Sequence, residues 1–283
     1  MTTALLHARA LLLPALFLSA AVFLLAGCAG GRGGAGSMTG PVASTAGNGS
    51  DLVTASDEPA GRRRARIRLE LAVGYFQQGQ TTVALDEIKQ SITADPTFAD
   101  AYNLRGLVYM RLDDVGLAED SFRRAIAIDP REPNTLHNYG WLLCQQGRYG
   151  DAAQQFGQAL SIPTYADRPK TLMTKGLCEL KAGQRAEAER SLTQAYELDA
   201  GNPVIGYNLA LLLAQRDDNT RALFYVRRIN SGPAANAESL WLAAKIERKL
   251  NNREAVTDLG RQLQRRFPQS REAIAYERGN FND

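Results

Sequence analysis

The sequence lacks the residue patterns on which most catalytic and metal sites depend. Beyond its first 27 residues it holds one histidine, His137. It has no glycine-rich phosphate loop, no nucleophile elbow and no ligand cluster with metal spacing. The pairs Asp113-Asp114 and Asp217-Asp218 are the nearest approach to an acid/base site, but aspartate is favoured in turns and we interpret both as turns. We therefore expect no enzyme, no cofactor, no metal and no small-molecule substrate.

An excess of one charge sign is also missing. The chain has 33 Lys and Arg residues against 30 Asp and Glu residues. A nucleic-acid-binding surface would require a clustered basic face, so we predict no nucleic-acid partner. The one basic run, Arg62-Arg63-Arg64, is interpreted as a solvated segment before the first helix, with contact to anionic lipid as the alternative.

A long uncharged run lies near the N-terminus. It extends from Ala10 to Gly31, follows the basic residue Arg9, and contains the small residues Ala26 and Gly27 directly before Cys28. A basic start, an apolar stretch and small residues at a cleavage point are typical of a secretory signal. A transmembrane anchor of about 20 residues is the alternative, and a proline within the run argues against it.

The four residues that end in Cys28 resemble the lipobox of bacterial lipoproteins. That resemblance implies removal of residues 1–27 and lipidation of Cys28, which becomes the first mature residue. Several acyl chains on one cysteine would hold the protein firmly in a membrane. Ala29 stands where lipoproteins of the inner membrane carry aspartate. We therefore expect an outer-membrane protein whose folded domain faces the periplasm.

The next segment, residues 28–60, is interpreted as a flexible tether. Residues 29–58 consist mainly of Gly, Ala, Ser and Thr, with few large apolar side chains. Such a segment buries too little surface to offset the entropy of ordering it. Helix-forming residues at helical spacing follow, so we assign residues 61–283 to the folded domain.

Small residues recur with a common period through this domain. One column is separated by 34, 34, 36, 34 and 34 residues, and two further columns follow the same period. A period of 34 residues with this pattern matches the tetratricopeptide repeat (TPR), a pair of antiparallel helices. The columns are Ala72, Gly106, Gly140, Gly176, Ala210 and Ala244; Ala84, Ala118, Ala152, Ala188, Ala222 and Val256; and Ser91, Ala125, Ala159, Ala195, Ile229 and Leu263.

The repeats predict an all-α superhelical solenoid of six helix-turn-helix pairs. They start near residues 65, 99, 133, 169, 203 and 237, and residues 270–276 form a short cap. Two extra residues precede the fourth repeat, so we expect a longer loop over 163–169. Turns between paired helices fall at Gly79, Asp113-Asp114, Gly147, Gly183, Asp217-Asp218 and Asn251-Asn252.

Stacked repeats of this kind form a concave face lined by the first helices. The second, fifth, ninth and twelfth residues of each first helix are expected to face it, with the sixth beside them. Trp141 offers a large apolar surface with one polar group, although packing against the neighbouring repeat is an equal alternative. The predicted partner-binding groove comprises Leu107, Met110, Asn134, His137, Asn138, Trp141, Tyr207, Asn208 and Leu211, with Cys144 at its edge.

Cys144 and Cys178 lie on the first helices of neighbouring repeats. The periplasm is oxidising, which favours a disulfide between them. Two separate buried thiols are the alternative, since free cysteine is among the most buried residue types. The two positions differ by two within the repeat, so the sequence leaves the pairing open.

Three segments resemble the type IV pilus biogenesis/stability lipoproteins (PilF/PilW). They are residues 138–149 (NYGWLLCQQGRY), the stretch from 163–165 (PTY) to 176–178 (GLC), and 240–250 (LWLAAKIERKL) followed by 265–268 (RRFP). The similarity runs in order over about residues 60–275. It implies a pilotin, a lipoprotein that brings the secretin subunit of the type IV pilus machine to the outer membrane and promotes its multimerisation. The long tether departs from the family pattern.

A generic periplasmic TPR scaffold for envelope or outer-membrane protein assembly is the alternative function. Both functions imply binding of a protein partner and attachment to the outer membrane through the Cys28 lipid.

Overall fold

The computed structural model describes residues 57–281. The predicted signal peptide, Cys28 and all but the last residues of the predicted tether lie outside them. The described residues form helices without strands: α1 Ala60–Gln77, α2 Thr81–Ala94, α3 Ala99–Arg111, α4 Val115–Ile128, α5 Pro133–Gln145, α6 Tyr149–Leu160, α7 Arg168–Lys181, α8 Arg185–Leu198, α9 Pro203–Gln215, α10 Asn219–Asn230, α11 Ala237–Lys249, α12 Arg253–Arg266 and α13 Arg271–Glu277. The all-α solenoid of six helix pairs is confirmed, with α13 after the sixth.

Each pair of helices is joined by a residue in the left-handed conformation. Gly79, Gly147 and Gly183 have φ values of 78°, 75° and 76°. Asp113 and Asp217, with φ of 59° and 60°, occupy the same place in other repeats. Asparagine and aspartate tolerate this conformation better than other side-chain-bearing residues. The turn interpretation of the aspartate pairs is thus confirmed, and Asp114 and Asp218 cap the helices that follow.

The first helix begins earlier than the repeat period predicts. It starts at Ala60 rather than near residue 65, so the three arginines predicted to precede the helix lie inside it. Arg62 holds this extra turn against the next inter-repeat loop. Its Nε donates to Asp95 Oδ2 at 2.5 Å and its Nη2 donates to the Thr97 carbonyl at 3.2 Å.

The longer loop before the fourth repeat is confirmed and covers residues 161–167. A second long connection, residues 231–236, was not predicted. Both follow a second helix of 12 residues, whereas the other second helices have 14. Pro163 and Pro233 stand one residue earlier in the repeat than Pro96 and Pro130, and these helices end early because the residue before a proline disfavours the helical conformation.

The periodic small residues form the contact between the two helices of each repeat. A Cβ atom on Gly140 would lie 2.8 Å from Phe156 Cε1, and one on Gly106 would lie 2.6 Å from Phe122 Cε1. Alanine takes this place in the first and fifth repeats, where Ala72 and Ile88 share one core cluster and Ala210 and Val226 share another. Gly176 faces Leu192, whose Cγ would lie 2.8 Å from an added Cβ. A small residue on the first helix therefore leaves room for the side chain of the second helix in each of these repeats.

The last repeat is closed by α13. In α12, the second helix of this repeat, Gly260 stands where other repeats carry a large side chain that faces the first helix. The ring of Tyr276 fills the space beside this glycine, since a Cβ atom on residue 260 would lie 1.9 Å from it. Ala273 is fully buried against Leu240 and Leu263. The C-terminal cap predicted for 270–276 is confirmed, with Ser270 as its N-cap residue.

Candidate partner-binding surface

The first helices line the inner surface of the array. The first helices of successive repeats contact one another: α1 contacts α3, α3 contacts α5, and α9 contacts α11. Successive second helices make no comparable contact within the described residues. Packing that brings first helices closer together than second helices curves the array, with the first helices on the concave side.

An apolar stripe runs along this concave surface. It is formed by the ninth position of the first five repeats, counted from the predicted repeat starts, and each of these side chains is at least partly exposed: Val73, Leu107, Trp141, Leu177 and Leu211. Leu107 and Trp141 also pack on the core of the second and third repeats, while Leu211 packs on the core of the fifth and sixth. Because their inner halves are packed, their outer halves are held in place without a partner.

Several predicted groove residues lie beside this stripe. Met110 is half-buried and Asn134 is exposed. The Asn134 side-chain amide donates to Glu132 Oε1 at 2.9 Å. Asn138 joins neighbouring first helices, because its Nδ2 donates to Asn103 Oδ1 at 3.0 Å. Asn208 donates to its own helix at the Val204 carbonyl, at 2.8 Å.

His137 does not line the groove as predicted. Its side chain is 5% exposed, and Nδ1 lies 2.8 Å from the Thr171 hydroxyl on α7. The same hydroxyl lies 2.7 Å from the Tyr165 hydroxyl in the long loop. Burial lowers the pKa of His137 to about 4, with nearby Lys170 acting in the same direction. The Thr171 hydroxyl thus links His137 to the long-loop residue Tyr165, a contact that the repeat register alone did not reveal.

Cys144 and Cys178 are joined by a disulfide between α5 and α7. Their Cα atoms lie 5.9 Å apart, within the range that a disulfide bridges. Both residues are almost fully buried, so Cys144 belongs to the contact between repeats rather than to the groove. The two residues inserted before α7 produce the offset of two positions that left the pairing open, and the bridge forms across that offset.

The C-terminal end of the groove deepens into a cleft between α9, α11 and α13. It has a volume of about 530 Å³ and contains the predicted residues Tyr207 and Leu211. Trp241 forms part of its floor, with its ring centroid 4.7 Å from that of Phe281. Burial raises the pKa of Tyr207, and the carboxylates of Glu238 and Glu272 add to this.

The sequence prediction missed Trp241, Lys245 and the α13 side of this cleft. The repeat period could have revealed these residues. Counting 34 residues on from the sixth repeat gives position 271, where α13 begins. Ala275 and Trp241 therefore occupy the same repeat position as Tyr207, and all three line the cleft.

Two kinds of site are absent from the described residues, a metal-binding cluster and a membrane-spanning helix. They contain no group of three or more His, Cys, Asp or Glu side chains arranged to hold a metal ion. None of the described helices combines the length and the apolar character that crossing a membrane requires.

Comparison with known proteins identifies the family. The tetratricopeptide-repeat family profile matches residues 97–164. The type IV pilus assembly protein PilF of Pseudomonas aeruginosa is 30% identical over 213 residues, covering 75% of this chain and 84% of that protein. A solved structure of Pseudomonas aeruginosa PilF is 27% identical with a TM-score of 0.69, and covers 78% of this chain and 100% of the other.

A crystal structure of PilW, described as a widely conserved type IV pilus biogenesis factor, is 29% identical with a TM-score of 0.67. It covers 75% of this chain and 97% of PilW. The resemblance first recognised in three sequence segments thus extends over the whole helical array. The chain belongs to the PilF/PilW family of tetratricopeptide-repeat proteins of type IV pilus biogenesis.

Proposed function

We propose that the protein is a pilotin that binds the type IV pilus secretin subunit in its concave groove and promotes secretin targeting and multimerisation at the outer membrane. The observation that carries the proposal is the apolar stripe along the groove, which five repeats build from one repeat position. Apolar side chains that are half-buried without a partner lose little conformational entropy when a partner covers them. This surface is consistent with a protein that binds a partner and carries no catalytic groups.

Membership of a pilus biogenesis family supports the choice of partner. The lipobox-like sequence at Cys28 supports the location, because a lipid anchor there would hold the domain at the periplasmic face of the outer membrane. Cys28→Ala is expected to release the protein from the outer membrane and reduce secretin multimers there. Normal fractionation and normal multimers in this variant would refute anchoring through Cys28.

Trp141 provides the test of the groove. Trp141→Ala removes a half-exposed ring from the middle of the stripe, and truncating an aromatic anchor commonly costs about 2 kcal/mol or more of binding free energy. We expect heat-resistant secretin multimers and surface pili to decrease while the helical circular dichroism is retained. Phe224→Ala is the matched control, because this ring is 60% exposed on the second helix α10.

Each result distinguishes one part of the proposal. If Trp141→Ala unfolds the array, the ring serves the core and not the groove. If both variants fold and form multimers normally, the partner binds elsewhere. If deletion of the gene leaves multimers and pili intact, the pilotin function itself is wrong.

A further inference from the structure

The last residue of every first helix forms one edge of the groove. These residues occupy the thirteenth position of each repeat, are all exposed, and alternate between glutamine and a basic residue: Gln77, Arg111, Gln145, Lys181, Gln215 and Lys249. No acidic residue occurs in this row. We call it the basic edge of the groove.

Two contacts place the basic edge next to the apolar stripe. The Lys181 ammonium lies 5.2 Å from the ring centroid of Trp141, which is part of the stripe. At the C-terminal end, Gln215 and Lys249 line a cleft together with Leu211 of the stripe. A segment bound on the stripe would therefore lie within reach of these cations.

Aromatic rings, rather than carboxylates, hold the first two cations in place. The Arg111 guanidinium lies 4.6 Å from the Phe76 ring centroid and donates to the Phe76 carbonyl at 2.8 Å. Neither Arg111 nor Lys181 forms an ion pair within the described residues. Lys249 differs, because its Nζ lies 2.7 Å from Asp217 Oδ1. Arg111 and Lys181 thus present uncompensated charge in a fixed position.

Helix stabilisation accounts for only part of this pattern. A cation at the last residue of a helix interacts favourably with the helix dipole. Glutamine at the same position of the first, third and fifth repeats shows that the fold does not require this charge. The cleft at the C-terminal end of the groove carries both signs, because Glu238 and Glu272 line it together with Lys245 and Arg271.

From this arrangement we infer that the groove binds a partner segment that is both apolar and acidic. Its apolar side chains cover the stripe, and its carboxylates point to the basic edge at Arg111 and Lys181. The inference rests on the proposed function in one respect only, that the segment belongs to the secretin subunit.

The test uses the full mature chain and two synthetic peptides. The peptides share one pattern of leucines and differ in carrying either glutamate or lysine at every intervening position. We expect the glutamate peptide to bind at least about tenfold more tightly, because charge complementarity selects partners and like charges repel. The preference should shrink as salt rises, since exposed charges are screened.

Arg111→Gln combined with Lys181→Gln completes the design. Both changes install the residue that alternate repeats already carry, so the array is expected to fold. The double variant should lose most of the preference for the glutamate peptide. Lys89→Gln with Arg228→Gln removes two exposed cations from second helices and should leave the preference unchanged.

The possible results separate this inference from the pilotin proposal. Equal binding of both peptides, binding of neither, or an unchanged preference in the double variant would overturn the acidic-segment inference. Binding of the purified soluble region of the secretin subunit is measured in parallel. If the glutamate peptide binds as expected and the secretin region does not, the groove chemistry stands and the pilotin proposal fails.

Discussion

The volume match between Gly140 and Phe156 gives the sharpest test of how the repeats are held together. Gly140→Ala places a Cβ atom 2.8–3.2 Å from three atoms of the Phe156 ring. Overpacking of this kind costs about 1–3 kcal/mol. The higher helix propensity of alanine returns about 1 kcal/mol. The single change should therefore lower the free energy of unfolding by up to about 2 kcal/mol.

The compensating change is taken from the first repeat, where Ala72 faces Ile88. Phe156→Ile alone removes ring atoms from a fully buried site and should cost about 2–3 kcal/mol, because part of the cavity remains. In the double variant the new methyl group occupies some of that cavity, as it does in the first repeat. The two changes should then be coupled by about 1–3 kcal/mol in the favourable direction.

Urea unfolding of the four proteins, followed by far-ultraviolet circular dichroism, measures this coupling. Hydrogen exchange in α5 and α6 locates the effect in the third repeat. If the two single effects add to within about 0.5 kcal/mol, the residues act independently. The explanation of the glycine and alanine positions by the facing side chain would then be wrong.

Three further outcomes are expected. Replacing Cys144 and Cys178 with alanine should lower the free energy of unfolding by about 3–4 kcal/mol on chain-entropy grounds, since the crosslink spans 34 residues. Mass spectrometry without reduction checks the bridge directly, because it should show the two cysteine peptides linked. Two freely alkylated thiols would exclude the bridge. His137 is buried in its neutral form, so this histidine takes up a proton at a higher pH in the unfolded chain than in the folded chain. The free energy of unfolding should therefore fall as the pH drops from 6.5 to about 4, by about 3 kcal/mol in all. His137→Gln should remove that part of the pH dependence, and an unchanged acid profile would contradict it. Tyr276→Ala should expose the surface around Gly260 and loosen α12 and α13 by about 3 kcal/mol or more in hydrogen exchange, with little effect on α1 to α4.

The residue types at each turn could be assigned from the sequence because their cause is local. Glycine, aspartate and asparagine recur every repeat at the one place where the backbone adopts positive φ. The small-residue columns are similarly readable, since close approach of two helices leaves no room for a side chain at positions such as Gly106. Both requirements repeat with the period and are therefore visible as a pattern.

The exposure of residues on the first helices follows from the repeat position only where the repeats are regular. Leu107, Trp141 and Leu211 share one repeat position, and each is partly exposed. His137 holds an equivalent place to Tyr207 but is buried, and its ring nitrogen bonds Thr171 of α7, whose hydroxyl also bonds Tyr165 of the long loop. An insertion changes the surroundings of a residue without changing its position in the repeat.

The class of fold, the number of repeats and the phase of their helices follow from the sequence, because all of these depend on residue type at fixed spacing, and the family follows from the resemblance of three sequence segments. Only the packed structure reveals the contacts that cross between repeats or end the array: the pairing of Cys144 with Cys178, the burial of His137, and the cleft that α13 closes. Such contacts depend on the distance and orientation between neighbouring helices. Those quantities follow from how all the side chains pack together, and no single repeat encodes them.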